Sequence, residues 1–193
     1  MKIAQIEIYQ HDLAVKGGVY RLSGGREYTS YDATFARVIG DDGQDGWGEA
    51  TPFGATYIAA RGQGTRAALD LLRPALTSRD PRACDQRSDI MAAPLKGHRD
   101  ARCALDVACW DLSARAAGLP LCDVIGGRID GQVPVISSIS SDSPEVMRAM
   151  VAAQIAIRDA PVREVSVPPP HTPGPGVIHD LAKLSAPVAE FGA

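Results

Sequence analysis

The side chains that could do chemistry in this chain are few and scattered. Cys84, Cys103, Cys109 and Cys122 show no C-x-x-C spacing, so a zinc site or a disulfide framework lacks its usual carrier, and small buried apolar side chains are the better reading. His98 stands where a helix begins and reads as a hydrogen bonder there, not a catalyst. His171 and His179 fall in a proline-rich stretch and read as solvated loop residues, not metal ligands. No G-x-S-x-G elbow, P-loop or H-E-x-x-H is present, which removes the common carriers of nucleophilic hydrolysis, phosphate cradling and zinc proteolysis. Gly62-Gln63-Gly64-Thr65-Arg66-Ala67 imitates part of a dinucleotide fingerprint. It follows no buried strand, and no second strand ending in an acid comes about twenty residues later, so a helix-entry loop is the reading preferred. Glu49, inside Gly46-Trp47-Gly48-Glu49-Ala50, is a candidate buried carboxylate, expected to be answered by an ion pair or a backbone donor.

The elements that must position these residues are clearest between Gly97 and Gly127. Leu105, Ala108 with Cys109, Leu112, Ala116 and Leu119 recur at three- and four-residue steps, which predicts one amphipathic helix with that face buried. Asp100 is the expected N-terminal cap, Asp111 and Arg115 are spaced for a surface ion pair, Gly118 suits the left-handed position after the helix, and Pro120 prevents continuation. The helix is therefore expected over residues 100–117.

Upstream, residues 2–11 alternate imperfectly around Ile3, Ile6 and Ile8 and predict a strand. Residues 14–29 are rich in glycine yet carry Val19, Tyr20 and Leu22, the composition of a mobile flap with sticky contacts. Residues 31–39 and 47–51 are two more strands joined by the Asp-Gly turn of residues 41–46. A helix is expected over 64–76, with Ala67, Ala68, Leu71, Leu72 and Ala75 as its stripe, and a shorter one over 81–91. Three strands followed by helices is the pattern of a small α+β domain, a three-stranded antiparallel meander packed on a helical bundle.

After Gly126-Gly127 the character changes. Val133, Val135, Ile136 and Ile139 form a short apolar strand, and Ser143-Pro144-Glu145 starts a capped helix with Val146, Met147, Met150 and Val151 on its buried face. Residues 163–167 are a second β-branched stretch, which gives one and a half turns of a βαβ repeat. Then Pro168, Pro169, Pro170, Pro173 and Pro175 end the pattern, and residues 177–193 offer at most one short helix. The domains expected are thus residues 1–127, residues 128–167, and an irregular proline-rich tail over 168–193.

Composition narrows the function classes. With 45% hydrophobic and 22% charged residues and a net charge of -3, there is no basic patch for nucleic acid or an anionic membrane. The start, MKIAQIEIYQHD, is broken by Gln5, Glu7 and Gln10 and reads as neither a signal peptide nor a membrane span. The cytoplasm is the expected location, and a small neutral or zwitterionic partner the natural one.

Three stretches together resemble a family. Gly46-Trp47-Gly48-Glu49-Ala50 after an acidic-glycine turn, Ala104-Leu105-Asp106-Val107-Ala108-Cys109-Trp110-Asp111-Leu112, and Gly118-Leu119-Pro120-Leu121 to Gly126-Gly127 resemble the mandelate racemase and muconate-lactonizing branch of the enolase superfamily. The likeness runs over about residues 1–155. Within that branch the flap, residues 52–60, Gly97-His98 and Cys109-Trp110-Asp111 are most similar to the proline-betaine and hydroxyproline epimerases and dehydratases.

The resemblance implies an enzyme in two parts, a capping domain that closes over substrate and a (β/α) barrel whose strand ends carry the chemistry. In such enzymes a Lys or His abstracts the proton beside a carboxylate and Mg²⁺ stabilises the enediolate. It also implies that Tyr20 in the flap and Phe53 and Tyr57 in the second loop face substrate, where an aromatic ring beside an ammonium group makes a cation–π contact; packing of loop on bundle is the alternative. Asp106, Trp110 and Asp111 are expected to fix domain packing instead. The family's Lys-x-Lys pair has no counterpart at Ser166-Val167-Pro168-Pro169-Pro170, since the lysines are Lys2, Lys16, Lys96 and Lys183. A barrel of about 250 residues cannot follow Val133 within this chain. The expectation is a truncated member that holds the capping half, has no catalytic Lys or metal ligands, binds no Mg²⁺ and is inactive alone. The alternative is a non-enzymatic module, docking on a full-length relative or on its own copy, or an inert fragment.

Overall fold

The structure is a computed structural model and describes residues 1–16, 18–54, 56–127, 133–134, 138–158, 166–167, 173–174, 183–184 and 186–192. The chain divides into two compact units, one of Met1–Leu13, Ser30–Gly127 and Pro170–Ala193, the other of Ala14–Thr29 and Arg128–Pro169.

The first unit is built on β1 (Ile3–Ala14), β4 (Ser30–Gly40) and β5 (Asp45–Ala50); β1 runs past its predicted end and β4 is longer than predicted at both ends. The hairpin of β4 and β5 pairs Arg37 with Trp47 and Val38 with Gly46, and Gly43 takes φ +81° in its turn, a conformation that glycine adopts without strain. A further strand, β8 (Ala189–Gly192), lies antiparallel on β1, so the order is β5-β4-β1-β8. The meander is thus four-stranded, and the last strand comes from a stretch whose composition predicts none.

Helices α1 (Gly62–Leu76), α2 (Cys84–Ala92) and α3 (Arg99–Ala117) cover one face of this sheet. Ile3, Ile6, Ile8, Val38, Leu69, Leu72, Leu76, Leu105 and Leu112 are fully buried between the layers. The buried stripe of α1 is Thr65, Ala68, Leu69, Leu72 and Leu76, not the one expected: Leu71 is 58% exposed. Two stripes were compatible with the periodicity, and the one carrying Thr65 and Leu76 faces the sheet. On α3 the last turn, with Ala116, runs past the sheet into solvent, and Leu119 beyond it is exposed as well. Gly118 has φ +66°, its N–H donates to the Arg115 carbonyl at 2.9 Å, and that of Leu119 to Ala114 at 3.0 Å, which ends the helix as expected. Asp100 is not the cap. His98 occupies that position, with φ +45° and no side-chain cap bond, while the Asp100 carboxylate accepts a hydrogen bond from Thr65 on α1. The short helix α4 (Leu121–Val124) follows.

The second unit holds β2 (Tyr20–Leu22) and β3 (Arg26–Tyr28), which form a small hairpin inside the flap. The Ser141 N–H donates to the Arg21 carbonyl at 3.1 Å, and Arg21 pairs with Glu27 at 2.8 Å and Asp142 at 3.5 Å. Helix α5 (Pro144–Arg158) begins as expected, with Ser143 Oγ accepting from the Val146 N–H at 3.4 Å. Its apolar face is not buried: Val146, Met147, Val151 and Ile155 are between 37% and 50% exposed. Strands β6 (Val133–Pro134) and β7 (Ser166–Val167) pair antiparallel, whereas a βαβ repeat requires a parallel pair. The remainder of the expected strand over 163–167, with His171 and His179, lies outside the described residues. No described helix is long and apolar enough to cross a membrane.

Candidate substrate-capping site

The loop between β5 and α1 carries two of the three candidate contact residues. Gly54, at φ +66°, donates its N–H to the Pro52 carbonyl at 2.8 Å and accepts from the Tyr57 N–H at 3.3 Å, which folds residues 52–57 back on themselves. The fold brings Phe53 and Tyr57 together: their ring centroids are 5.0 Å apart, edge to face, and Phe53 lies 5.1 Å from Tyr31 of β4. Three aromatic rings at such spacings support one another and present faces to a cation. Tyr57 is 56% exposed. Tyr20 belongs to the second unit, where it pairs with Tyr28 across the flap hairpin.

Beside Tyr31 is a carboxylate that sequence reading does not single out. Asp32 receives both terminal nitrogens of Arg66, at 2.7 and 3.0 Å, and Gln10 Nε2 at 3.1 Å. The same guanidinium donates to Thr34 Oγ1 at 3.1 Å. The hydrogen bonds from Arg66 hold the Asp32 carboxyl below the usual carboxylate range, against the opposing effect of partial burial. A cavity of about 340 Å³ opens here, lined by Tyr31, Asp32, Pro52, Gly54, Arg61 and Gly62 among others. A β-carbon on Gly62 would run into Asp32, so this glycine of the imitated dinucleotide fingerprint serves a different purpose. Gly62 lets a carboxylate reach the start of α1, the place a pyrophosphate would need. The signal for Arg66 was available as a charged residue one step off the buried stripe; that for Asp32 was its place in an alternating strand.

The residues expected to be structural are so. Arg87 of α2, its side chain 3% exposed, is 2.7 Å from Asp106, stacks 5.2 Å over Trp110 and donates to the Pro81 carbonyl. Asp111 is fully buried; Oδ2 accepts from the Trp47 N–H at 2.8 Å and Oδ1 from Arg115 Nε at 2.7 Å. The expected surface ion pair is therefore an interior one, because Asp111 points at the edge of β5. Glu49 is exposed, with the Thr51 hydroxyl as a donor, and not the buried carboxylate expected: the alternation of β5 turns it away from α3. Cys109 is buried, and desolvation pushes its thiol up to about 12; Cys103 is exposed, unlike the buried apolar residue expected. All four cysteines are free, and among the described residues no three of His, Cys, Asp or Glu gather as a metal-binding group.

Comparison with known proteins accounts for the sheet-and-helix unit. Residues 28–126 match the family model of the mandelate racemase/muconate lactonizing enzyme, N-terminal domain. The chain belongs to this family. It is 34% identical over 156 residues to a cis-3-hydroxy-L-proline dehydratase of Roseibium aggregatum, covering 81% of this chain and 42% of the relative. An N-succinyl-L-Arg/Lys racemase of Bacillus cereus is 27% identical over 159 residues, 80% of this chain and 42% of that one. Among solved structures, a protein of Roseovarius nubinhibens, described as of the mandelate racemase/muconate lactonizing type and complexed with magnesium, is 63% identical with a TM-score of 0.77. The match covers 81% of this chain and 42% of that one. A protein of the same description from Aspergillus oryzae is 47% identical with a TM-score of 0.71, over 80% and 41%. The curated relatives it matches include racemases, epimerases and dehydratases of the enolase superfamily. The chain spans less than half their length.

Proposed function

We propose that this chain is the substrate-capping half of a Mg²⁺-dependent racemase, epimerase or dehydratase that abstracts the proton beside the carboxylate of a small amino acid or related acid. The observation that carries the reading is the aromatic group of Tyr31, Phe53 and Tyr57, whose Tyr31 also lines a cavity sized for a small molecule. Aromatic faces favour an ammonium group, whereas the Asp32 carboxylate is already answered by Arg66. Tyr57 and Phe53 supply the faces, and for Tyr20 a substrate contact is proposed on the family resemblance alone. The names of the hydroxyproline dehydratase and of the succinylated amino acid racemase support the same substrate class. The proton-abstracting base and the metal ligands belong to the barrel half, and Ser166-Val167-Pro168 carries no Lys-x-Lys pair. The chain is therefore inactive alone, and its place is the cytoplasm.

The test is exchange of the α-proton. Proline and its hydroxylated and N-methylated forms are incubated with the purified chain in deuterium oxide with Mg²⁺ and followed by proton NMR. The expected result is a rate equal to that of the buffer control. Turnover at the rates of complete relatives would refute the capping-half reading.

A further inference from the structure

A second cavity, of about 240 Å³, lies in the first unit at the far end of α1, with Ile3, Leu76 and Ile90 among its walls and Arg79 and Arg87 as its cations. Gly62 opens α1 at the first cavity and Leu76 closes it at this one, a separation of about 20 Å along the helix. The two cavities are therefore separate places. The rim of the second is fixed by backbone: the Ser78 N–H donates to the Ile3 carbonyl at 2.8 Å and the Ile3 N–H to the Arg79 carbonyl at 2.9 Å, which holds Ser78 and Arg79 against the start of β1.

Arg87 has more donors than acceptors. Its side chain is 3% exposed; Nε donates to Asp106 at 2.7 Å and Nη1 to the Pro81 carbonyl, while Nη2 is buried and has no hydrogen-bond partner among the described residues. A buried charged donor without an acceptor costs stability, so an acceptor supplied by a ligand is favoured there. The balance of charge points the same way. Asp80 is the one acid among the described residues that line the cavity, and both its oxygens are taken by Arg82, at 2.9 and 2.7 Å. Arg87 is paired with Asp106. Arg79 is exposed, and its guanidinium has no ion pair or hydrogen bond among the described residues. One positive charge on the wall is thus left unanswered.

We propose that this cavity is a binding site for a small aliphatic monocarboxylate, its carboxylate held by Arg79 and Arg87 and its chain laid on Ile3, Leu76 and Ile90. A single negative charge matches the single unanswered cation, and two carboxylate oxygens match donors from two guanidinium groups. Inorganic phosphate would bring the charge but nothing to cover the apolar walls. The volume exceeds the roughly 150 Å³ of a cavity that holds benzene, which leaves room for a carboxylate of about six carbons.

The test is NMR titration of the full chain with hexanoate, with hexanol and inorganic phosphate as controls, read at the methyl groups of Ile3, Leu76 and Ile90 and at the Arg87 Nε–H. Hexanoate is expected to move all of these signals together and to saturate with a dissociation constant of about 1 mM, and both controls to bind at least about tenfold more weakly. Arg79→Gln removes a charged donor on which no described contact depends, so it is expected to weaken hexanoate about tenfold and to leave the thermal midpoint unchanged. Ile90→Trp fills the cavity and is expected to abolish saturation. Equal shifts with hexanol would make the cavity an apolar crevice and overturn the proposal. Equal binding of phosphate, an unchanged affinity in Arg79→Gln, or no saturation up to about 20 mM hexanoate would overturn it as well. Shifts at the Phe53 and Tyr57 rings in place of these methyl groups would assign the carboxylate to the capping site and remove it from this one.

Discussion

At the scale of the residue, the two sequence motifs that carry the family likeness are the two sides of one contact. A β-carbon on Gly46 would meet the backbone of Ala108 and Leu112, and one on Gly48 the backbone of Ala104 and Ala108, so the Gly-Trp-Gly strand lies directly on α3. Neither backbone can retreat, since β5 is paired to β4 and α3 is buried. Gly48→Ala is therefore expected to cost about 3 kcal/mol, the upper end of overpacking effects, read by urea denaturation. Asp111→Asn replaces a buried acceptor of two donors by a group with two donors of its own, and is expected to cost about 2 kcal/mol, with Asp111→Ala worse. The sequence shows the glycines and the aspartate in both motifs, but it cannot show that they meet, because their partners are some sixty positions apart in the chain and only packing joins them. Hence Asp111 reads from spacing as a surface ion pair with Arg115, and its burial is legible only in three dimensions. A carboxylate on the outside behaves otherwise. Hydrogen bonds from Arg82 lower Asp80 to about 2, and those from Arg66 lower Asp32. A depressed folded value means that the contribution to stability is present above the unfolded value of about 3.9 and is lost as pH falls through the folded one. Carbon-13 NMR titration is expected to place Asp80 near 2 in the native chain and near 3.9 in Arg82→Gln; equal values in both would exclude the pairing.

At the scale of the element, β1, β4, β5 and α1 to α3 were legible because the chain carries its own punctuation, the Asp-Gly turn at 42–43 and Gly118 and Pro120 after α3, whereas the β2–β3 hairpin inside the flap and the short α4 were not. What was not legible is which face of an element turns inward when two stripes satisfy the same period. On α1 the stripe with Leu71 and that with Leu69 and Leu76 both fit, and the choice falls to Arg66, which must stay beside Asp32 of β4. The second loop poses the same problem. Its composition names Phe53 and Tyr57, but Tyr31 joins them only because β4 passes beneath the loop. If the trio recognises ammonium groups, a quaternary ammonium such as glycine betaine is expected to shift the ring resonances of Tyr57 and Phe53 on titration. Tyr57→Ala removes an exposed cation–π contact worth about 0.5–1 kcal/mol, so the affinity should fall roughly two- to fivefold, and Tyr57→Phe should keep it. Titration with an isosteric neutral molecule that produces the same shifts would argue for simple packing.

At the scale of the whole molecule, the two units differ in how well their apolar surface is covered. The first has a layered core with fully buried Ile, Leu and Val from sheet and helices alike. Among its described residues the second has the flap hairpin, the pair of β6 and β7, and a helix, α5, whose Val146, Met147, Val151 and Ile155 stand 37–50% exposed. The residues recur at helical spacing, so they form a stripe and not isolated surface apolar groups. In a barrel such a stripe would pack on a parallel sheet, and the described pair of β6 and β7 is antiparallel. The sequence pattern of a capped amphipathic helix was therefore read correctly while its burial was not, because burial needs a partner that periodicity cannot report. If the stripe governs the behaviour of this unit in solution, Val151→Lys with Ile155→Lys should lower binding of a hydrophobic dye and raise the concentration at which the chain precipitates. The thermal midpoint of the first unit, followed through Trp47 fluorescence, should move by no more than about 1 °C, since neither residue contributes to its core. A drop of several degrees in that midpoint would show instead that α5 is part of what holds the sheet and helices together, and the two units would then have to be treated as one cooperative fold.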